Sequence, residues 1–183
     1  MSQNLPTINV NDKSFELFIS SETIQKAVER LADRISVDLD GKNPLFLVVL
    51  NGAFIFAADL LKRIKIDCQV SFVKLSSYSG TKTTNIVREL IGLDEILHGR
   101  TIVIVEDIID TGLTMAEAIN KLYKLEAAEV YLATLLFKPK AFQKDFKIDY
   151  IGIEIPNDFI VGYGLDYDGF GRNYPDIYKI IDK

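Results

Sequence analysis

Val103-Ile104-Val105-Glu106-Asp107-Ile108-Ile109-Asp110-Thr111-Gly112-Leu113-Thr114 is the stretch that decides how this chain is read. Its apolar start reads as a strand covered on both faces, which requires an uninterrupted hydrophobic run. An acidic turn, a small hydroxyl-bearing loop and a helix follow. Such a turn suits a sugar phosphate. Glu106 and Asp107 are acceptors fit for two adjacent ribose hydroxyls. The amides of residues 110–114 form a nest for a terminal phosphate, with Thr111 and Thr114 donating hydroxyls and the helix dipole favouring the anion. With Gly112 alone, the stretch matches neither a Walker loop nor a dinucleotide fingerprint. The bland reading is a solvated turn with Thr114 as a helix N-cap. Two adjacent acids directly after an apolar strand weigh against it, because burying carboxylates without a task is costly.

The pattern repeats outward from this stretch. Residues 45–50 are a second apolar run, ending at Asn51-Gly52, with a helix expected over 53–63 and Lys62-Arg63 complementing its dipole. Ile24, Ala27, Val28, Leu31 and Ile35 recur at three- and four-residue steps, so residues 21–37 read as a helix capped by Ser20 or Ser21. Further strands are expected over 69–74, 101–105 and 130–137, with a helix over 115–125. Short strands or edges follow at 86–90, 150–153, 159–163 and 177–181, and residues 76–84 read as a loop. Strands alternating with helices imply an α/β fold with a mainly parallel sheet flanked by helices. In such sheets ligands bind outside the carboxyl ends of the strands. Asn51-Gly52, the Glu106 stretch and Lys138 all fall at such ends.

At 183 residues, with 48% hydrophobic residues, the chain has enough apolar surface for one packed domain. A net charge of −5 excludes the general basic footprint that nucleic-acid binding needs. The lone Cys68 excludes an internal disulfide, and with the lone His98 it argues against a cysteine or histidine metal centre. Cys68 is expected in a core strand and His98 in a turn. The N-terminal residues lack a signal-peptide pattern, and residues 45–61 are too interrupted to span a bilayer. A cytoplasmic protein binding neither nucleic acid nor membrane is expected.

The stretch from Val103 to Thr114 resembles the phosphoribosyl-pyrophosphate motif of the type I phosphoribosyltransferases. The resemblance continues in order along the chain. Val48-Val49-Leu50-Asn51-Gly52 is similar to the family's pyrophosphate loop, and Ser76-Ser77-Tyr78 to the start of its flexible lid. Leu135-Leu136-Phe137-Lys138 resembles its purine-selecting strand. Residues 155–163 and Leu165-Asp166-Tyr167 resemble its base-binding hood. These later segments point to the 6-oxopurine branch, the hypoxanthine-guanine enzymes.

The resemblance implies transfer of a 5-phosphoribosyl group from phosphoribosyl pyrophosphate to N9 of hypoxanthine or guanine. It implies that Asp110 is the general base at N7 and that Lys138 hydrogen-bonds O6. Phe159 would stack on the purine, and Ile160 would offer backbone groups to its edge. Glu106, Asp107, Asp110, Thr111, Gly112, Leu113 and Thr114 would hold the ribose and its 5′-phosphate. Asn51, Gly52 and Arg172 would hold pyrophosphate, Asp166 and Glu106 would bind Mg²⁺, and Ser77 and Tyr78 would belong to the lid. It also implies one domain over 1–183, its core at roughly 20–150 and its hood formed by residues 151–183 with the N-terminal segment, assembled as a homodimer or homotetramer. Asn51 stands where the mammalian pattern often has lysine, and Leu113 where lysine can follow the motif glycine.

Bland readings stand beside these. Lys138, before Pro139, reads equally as a snorkelling strand-end lysine. Phe159 reads as a core aromatic, Asp166 with Arg172 as a weak surface pair, and Tyr78 as an ordinary loop residue. The rival functions are a transferase for xanthine or a pyrimidine, and a regulator that keeps the phosphoribosyl-pyrophosphate site as a sensor.

Overall fold

The structure is a computed structural model that describes residues 5–76, 88–89 and 97–181. Its centre is a six-stranded sheet of order β5-β4-β3-β6-β7-β8. The strands are β3 (Leu45–Leu50), β4 (Gln69–Ser76), β5 (Arg88–Glu89), β6 (Thr101–Ile109), β7 (Glu129–Phe137) and β8 (Tyr150–Glu154). β4, β3, β6, β7 and β8 run parallel, and β5 adds to β4 antiparallel at the edge.

Alternate side chains of β3 feed two cores. Phe46 and Val48 pack with helices α1 (Ser21–Asp38) and α2 (Phe54–Leu61), through Ile24, Val28, Leu31, Phe56 and Leu60. Leu45, Leu47 and Val49 pack on the other face with Met115 and Leu122 of α3 (Leu113–Lys124). Each fully buried Leu, Ile or Phe side chain contributes roughly 1.5–3 kcal/mol of transfer free energy, so the two layers fix the sheet between them. α1 starts where expected, because Ser20 accepts from the Thr23 amide.

A second, four-stranded sheet has order β1-β2-β10-β9 and joins the two ends of the chain. It comprises β1 (Thr7–Val10), β2 (Lys13–Ile19), β9 (Ile160–Val161) and β10 (Ile177–Ile180). Phe15, Val161 and Tyr178 form its small core with Val10. The two N-terminal strands go beyond the sequence reading, which assigned no element before residue 20. The alternation of Phe15, Leu17 and Ile19 is a strand signal that the reading passed over, and β10 supplies the partner.

Several boundaries differ from expectation. β6 runs to Ile109, so Glu106 and Asp107 lie within the strand and the turn begins at Asp110. α3 starts at Leu113, two residues early, because Gly112 at φ +78° turns the chain directly from loop into helix. α2 stops at Leu61. Lys62 and Arg63 lie beyond it, with Lys62 pairing Asp59 at 2.7 Å and Arg63 donating to the Asp59 carbonyl at 2.9 Å. β9 keeps only two residues, because Gly162, Tyr163 and Gly164 all have positive φ. Cys68 lies just outside β4, half-buried, and His98 lies in a turn. Of the expected loop and brief strand over 76–90, only Ser76 and residues 88–89 are described.

Candidate active site

The site lies where strand order changes direction. After β3 the chain places β4 on one side and β6 on the other, and such a switch point opens a crevice at the carboxyl ends of the strands. There a cavity of about 240 Å³ is lined by Val49, Leu50, Leu75, Glu106, the whole of residues 108–114, and Met115.

Its floor is the loop after β6. The N-cap of α3 is Gly112, with no side-chain cap, so Thr114 is inside the helix and does not cap it. The first helical bond runs from the Ala116 amide to the Gly112 carbonyl, at 3.0 Å. The Leu113 amide makes only a long 3.5 Å contact with the Thr111 hydroxyl. The first-turn amides therefore face the cavity as donors, the arrangement that binds a phosphate dianion. From behind, Phe142 and Phe146 pack against Gly112, where a Cβ would meet the Phe142 ring at 2.5 Å. The Gln143 amide donates to the Thr111 carbonyl at 3.2 Å. This aromatic brace was not singled out from sequence. Its only signal is two phenylalanines four residues apart.

The two adjacent acids keep their carboxyls within hydrogen-bonding reach of each other but have different surroundings. Glu106 lines the cavity, whereas Asp107 is 8% exposed, accepts from the Ile108 amide at 2.9 Å and packs against Gly52. A Cβ at Gly52 would fall inside the Asp107 carboxylate, so only glycine permits this approach. The Leu50–Asn51 peptide beside it is cis. Burial pushes the Glu106 carboxyl well above the usual carboxylate range, and the neighbouring Asp107 charge pushes it the same way.

Asp110 and Lys138 come together from the ends of β6 and β7. The Lys138 amide donates to the Ile109 carbonyl at 2.9 Å, and its Nζ lies 3.4 Å from Asp110 Oδ2. Lys138 is 12% exposed and Asp110 52%, so the ammonium is a held group rather than a free strand-end charge.

Asp166 and Arg172 also meet. Arg172 Nη2 lies 2.6 Å from Asp166 Oδ1, its Nη1 donates to the Gly164 carbonyl at 2.5 Å, and the Gly169 amide donates to Asp166 Oδ2 at 2.7 Å. Gly164 packs on the Gly52 carbonyl, which brings this pair to the Asn51-Gly52 loop.

Phe159 is 44% exposed, so it is not the core aromatic that composition favours. Its ring meets Tyr167 edge-on at 5.7 Å and borders a separate cavity with Lys13, Asn157, Asp158 and Ile180. Ile160 pairs with Lys179 across β9 and β10, while the Ile180 amide donates to the Phe159 carbonyl at 2.9 Å. In that register the N–H and C=O of Ile160 point away from β10, off the sheet edge. Ser77 and Tyr78 lie outside the described residues.

A crevice walled by a carboxyl group and floored by helix-terminus amides, at the switch point of a parallel sheet, is where such folds bind ligands, and the family comparison names the class. Residues 20–168 match the phosphoribosyl transferase domain model, and the chain belongs to that family. Within it, the chain is 40% identical over 166 residues to the hypoxanthine-guanine phosphoribosyltransferase of Lactococcus lactis subsp. lactis, covering 90% of each. A crystal structure of a hypoxanthine-guanine phosphoribosyltransferase from Bacillus anthracis superposes with a TM-score of 0.84 at 36% identity, covering 91% of this chain and 97% of that one. A hypoxanthine phosphoribosyltransferase from Staphylococcus aureus gives a TM-score of 0.86 at 33% identity, covering 91% of each chain.

Proposed function

We propose that this protein is a purine-salvage transferase. It moves the 5-phosphoribosyl group of phosphoribosyl pyrophosphate to N9 of hypoxanthine or guanine and releases pyrophosphate. The observation that carries the choice of base is the Lys138–Asp110 pair, 3.4 Å apart at the mouth of the phosphate cavity. O6 and N7 are neighbouring positions on a 6-oxopurine edge. An ammonium for O6 beside a carboxylate for the N7 proton matches them, and adenine, with an amino group at C6, offers Lys138 no acceptor.

The first-turn amides of α3 with Thr111 and Thr114 hold the 5′-phosphate. Glu106 on the cavity wall, with Asp107 behind it, holds the ribose hydroxyls. Phe159 stacks on the base, and the outward N–H and C=O of Ile160 meet its pyrimidine-ring edge. As N9 attacks C1 through an oxocarbenium-like transition state, the configuration inverts and Asp110 takes the N7 proton. Arg172, with the Asn51-Gly52 loop, holds the departing pyrophosphate by charge-assisted donors.

Mg²⁺ fits this donor set. No group of three or more metal-ligating side chains occurs among the described residues. Mg²⁺ typically takes one or two carboxylates and completes its shell with water and substrate phosphates. Asp166, 30% exposed, and Glu106 are the carboxylates that would hold it. When bound, it neutralises charge developing on the leaving pyrophosphate.

The same reading makes the protein a cytoplasmic homodimer or homotetramer. In keeping with assembly, Phe54, Val70 and Phe72 are exposed on α2 and β4. Sedimentation velocity tests the assembly. For the reaction, the protein is incubated with phosphoribosyl pyrophosphate, Mg²⁺ and hypoxanthine, guanine, xanthine, adenine or uracil in turn. IMP and GMP are the expected products. Failure to form either ends the proposal, and nucleotide from xanthine or uracil alone reassigns the base.

A further inference from the structure

Outside the cavity, a densely bonded polar cluster joins the segment after β9 to α1 and α2. The Tyr163 hydroxyl donates to Asp59 Oδ2 at 2.6 Å, and Gln25 Nε2 donates to the same oxygen at 2.8 Å. Arg63 Nη2 donates to Gln25 Oε1 at 2.7 Å, and Lys62 pairs with Asp59 Oδ1 at 2.7 Å. Burial alone would raise the Asp59 carboxyl, but hydrogen bonds from Lys62, Tyr163 and Gln25 outweigh it and hold the group below its ordinary value. Burial, followed by the hydrogen bond to Asp59, pushes the Tyr163 phenol up.

Tyr163 is 3% exposed and has φ +50°, a conformation that non-glycine residues rarely adopt. Its backbone is fixed as well, with the Tyr163 amide donating to the Tyr174 carbonyl at 2.8 Å. The next residue, Gly164, has φ +100°, and a Cβ there would fall on the Gly52 carbonyl. Gly164 also exchanges hydrogen bonds with Arg172, giving its amide to the Arg172 carbonyl at 2.9 Å and accepting from the guanidinium. Asp59 lies on α2, the helix that follows Asn51-Gly52. The bond therefore ties together the two segments whose backbones meet at Gly52 and Gly164.

We infer that Tyr163 and Asp59 are positioning residues that set the pyrophosphate end of the site by holding Gly164 and Arg172 against the Gly52 loop. Neither touches substrate. The inference rests on the assignment of pyrophosphate to Gly52 and Arg172, so the experiment reads that assignment separately.

The test is Tyr163→Phe in the whole protein, with Asp59→Ala and Asp59→Asn beside it. Pyrophosphate binding in the presence of Mg²⁺ is measured by calorimetry, and KM by steady-state kinetics. Tyr163→Phe is expected to weaken pyrophosphate, and to raise KM for phosphoribosyl pyrophosphate, by about fivefold to tenfold through misplacement of the donors. The KM for hypoxanthine should stay within about twofold, since Lys138 and Asp110 follow β7 and β6, and Phe159 and Ile160 are held by their own pairing with β10. Asp59→Ala should reproduce the effect, the Tyr163→Phe/Asp59→Ala double variant should add little to either, and Asp59→Asn, which keeps an acceptor, should restore most of it. Tyr163→Phe that lowers Tm but leaves pyrophosphate binding unchanged overturns the inference, as does an equal rise in both KM values. Should Tyr163→Phe not fold, the contrast between Asp59→Asn and Asp59→Ala decides by the same readouts. If the unsubstituted protein does not bind pyrophosphate, the site assignment itself fails and takes this inference with it.

Discussion

Lys138 Nζ and Asp110 Oδ2 lie 3.4 Å apart although 28 positions separate them in sequence, because each directly follows one of two strands, β6 and β7, that pair in parallel register and end together. One largely covered cation and one half-exposed anion thus stand side by side, the anion on the wall of the cavity. Replacing Asp110 by Asn keeps the shape and removes the base. Turnover should fall about 10²-fold or more, the usual contribution of general base catalysis, while KM for phosphoribosyl pyrophosphate changes far less. Pre-steady-state kinetics separating chemistry from product release gives the direct reading. Equal losses in both parameters would instead assign Asp110 to donor binding.

Lys138→Gln removes the charge and keeps a donor. A hydrogen bond to a charged group is worth about 1.5–3 kcal/mol, so kcat/KM for hypoxanthine should fall roughly 10- to 150-fold. The loss for phosphoribosyl pyrophosphate binding, measured by titration without purine, should be small. A parallel loss of donor affinity would show that Lys138 chiefly serves to fix the loop through Asp110.

The proposed phosphate loop depends on Gly112. Gly112→Ala combines a residue at φ +78° with a Cβ driven into Phe142. Left-handed strain alone costs about 1–2 kcal/mol for a non-glycine residue, and displacement of the Phe142 ring adds to it. Thermal unfolding should show a lower Tm, and KM for phosphoribosyl pyrophosphate should rise. A variant with normal KM would mean that the amides of Leu113 and Thr114 do not set phosphate affinity.

Glu106 gives a pH prediction. Burial and the Asp107 charge raise its carboxyl in the folded protein, so between its unfolded and folded values the native state holds the extra proton. Stability from this group is present below the unfolded value and is lost as pH rises through the folded one. Glu106→Gln should therefore raise Tm in the ligand-free protein at alkaline pH and make little difference near pH 4. Each 1 kcal/mol gained corresponds to about 2–4 °C for a chain of this size. A Tm difference that does not vary with pH would refute the shift.

Much of this was open to sequence reading for local reasons. The apolar run at residues 45–50 and the apolar-rich stretch at 130–137 read as covered strands, and the residues that follow them are fixed at the carboxyl edge by chain direction. That is why Asn51-Gly52, Asp110–Thr114 and Lys138 could be placed at one edge in advance. The strand limit at Glu106 was less legible. Carboxylates read as turn signals, but Asp107 is held within β6 by its own bond to the Ile108 amide and its contact with Gly52, neither of which has a sequence signature.

The chain by itself determined the α/β order, the position of the acidic loop and the residue types available at each strand end, because periodicity and turn chemistry act over a few neighbouring residues. Tertiary structure alone decided how those residues are arranged. It set Glu106 toward the cavity and Asp107 toward Gly52, joined Lys138 to Asp110, drew β1 and β2 into a sheet with β10, and bound Tyr163 to Asp59 across 104 positions of sequence. The reason is physical. Each of these depends on a contact between distant segments, and such contacts exist only once the two cores on either side of β3 have packed and brought those segments within hydrogen-bonding reach.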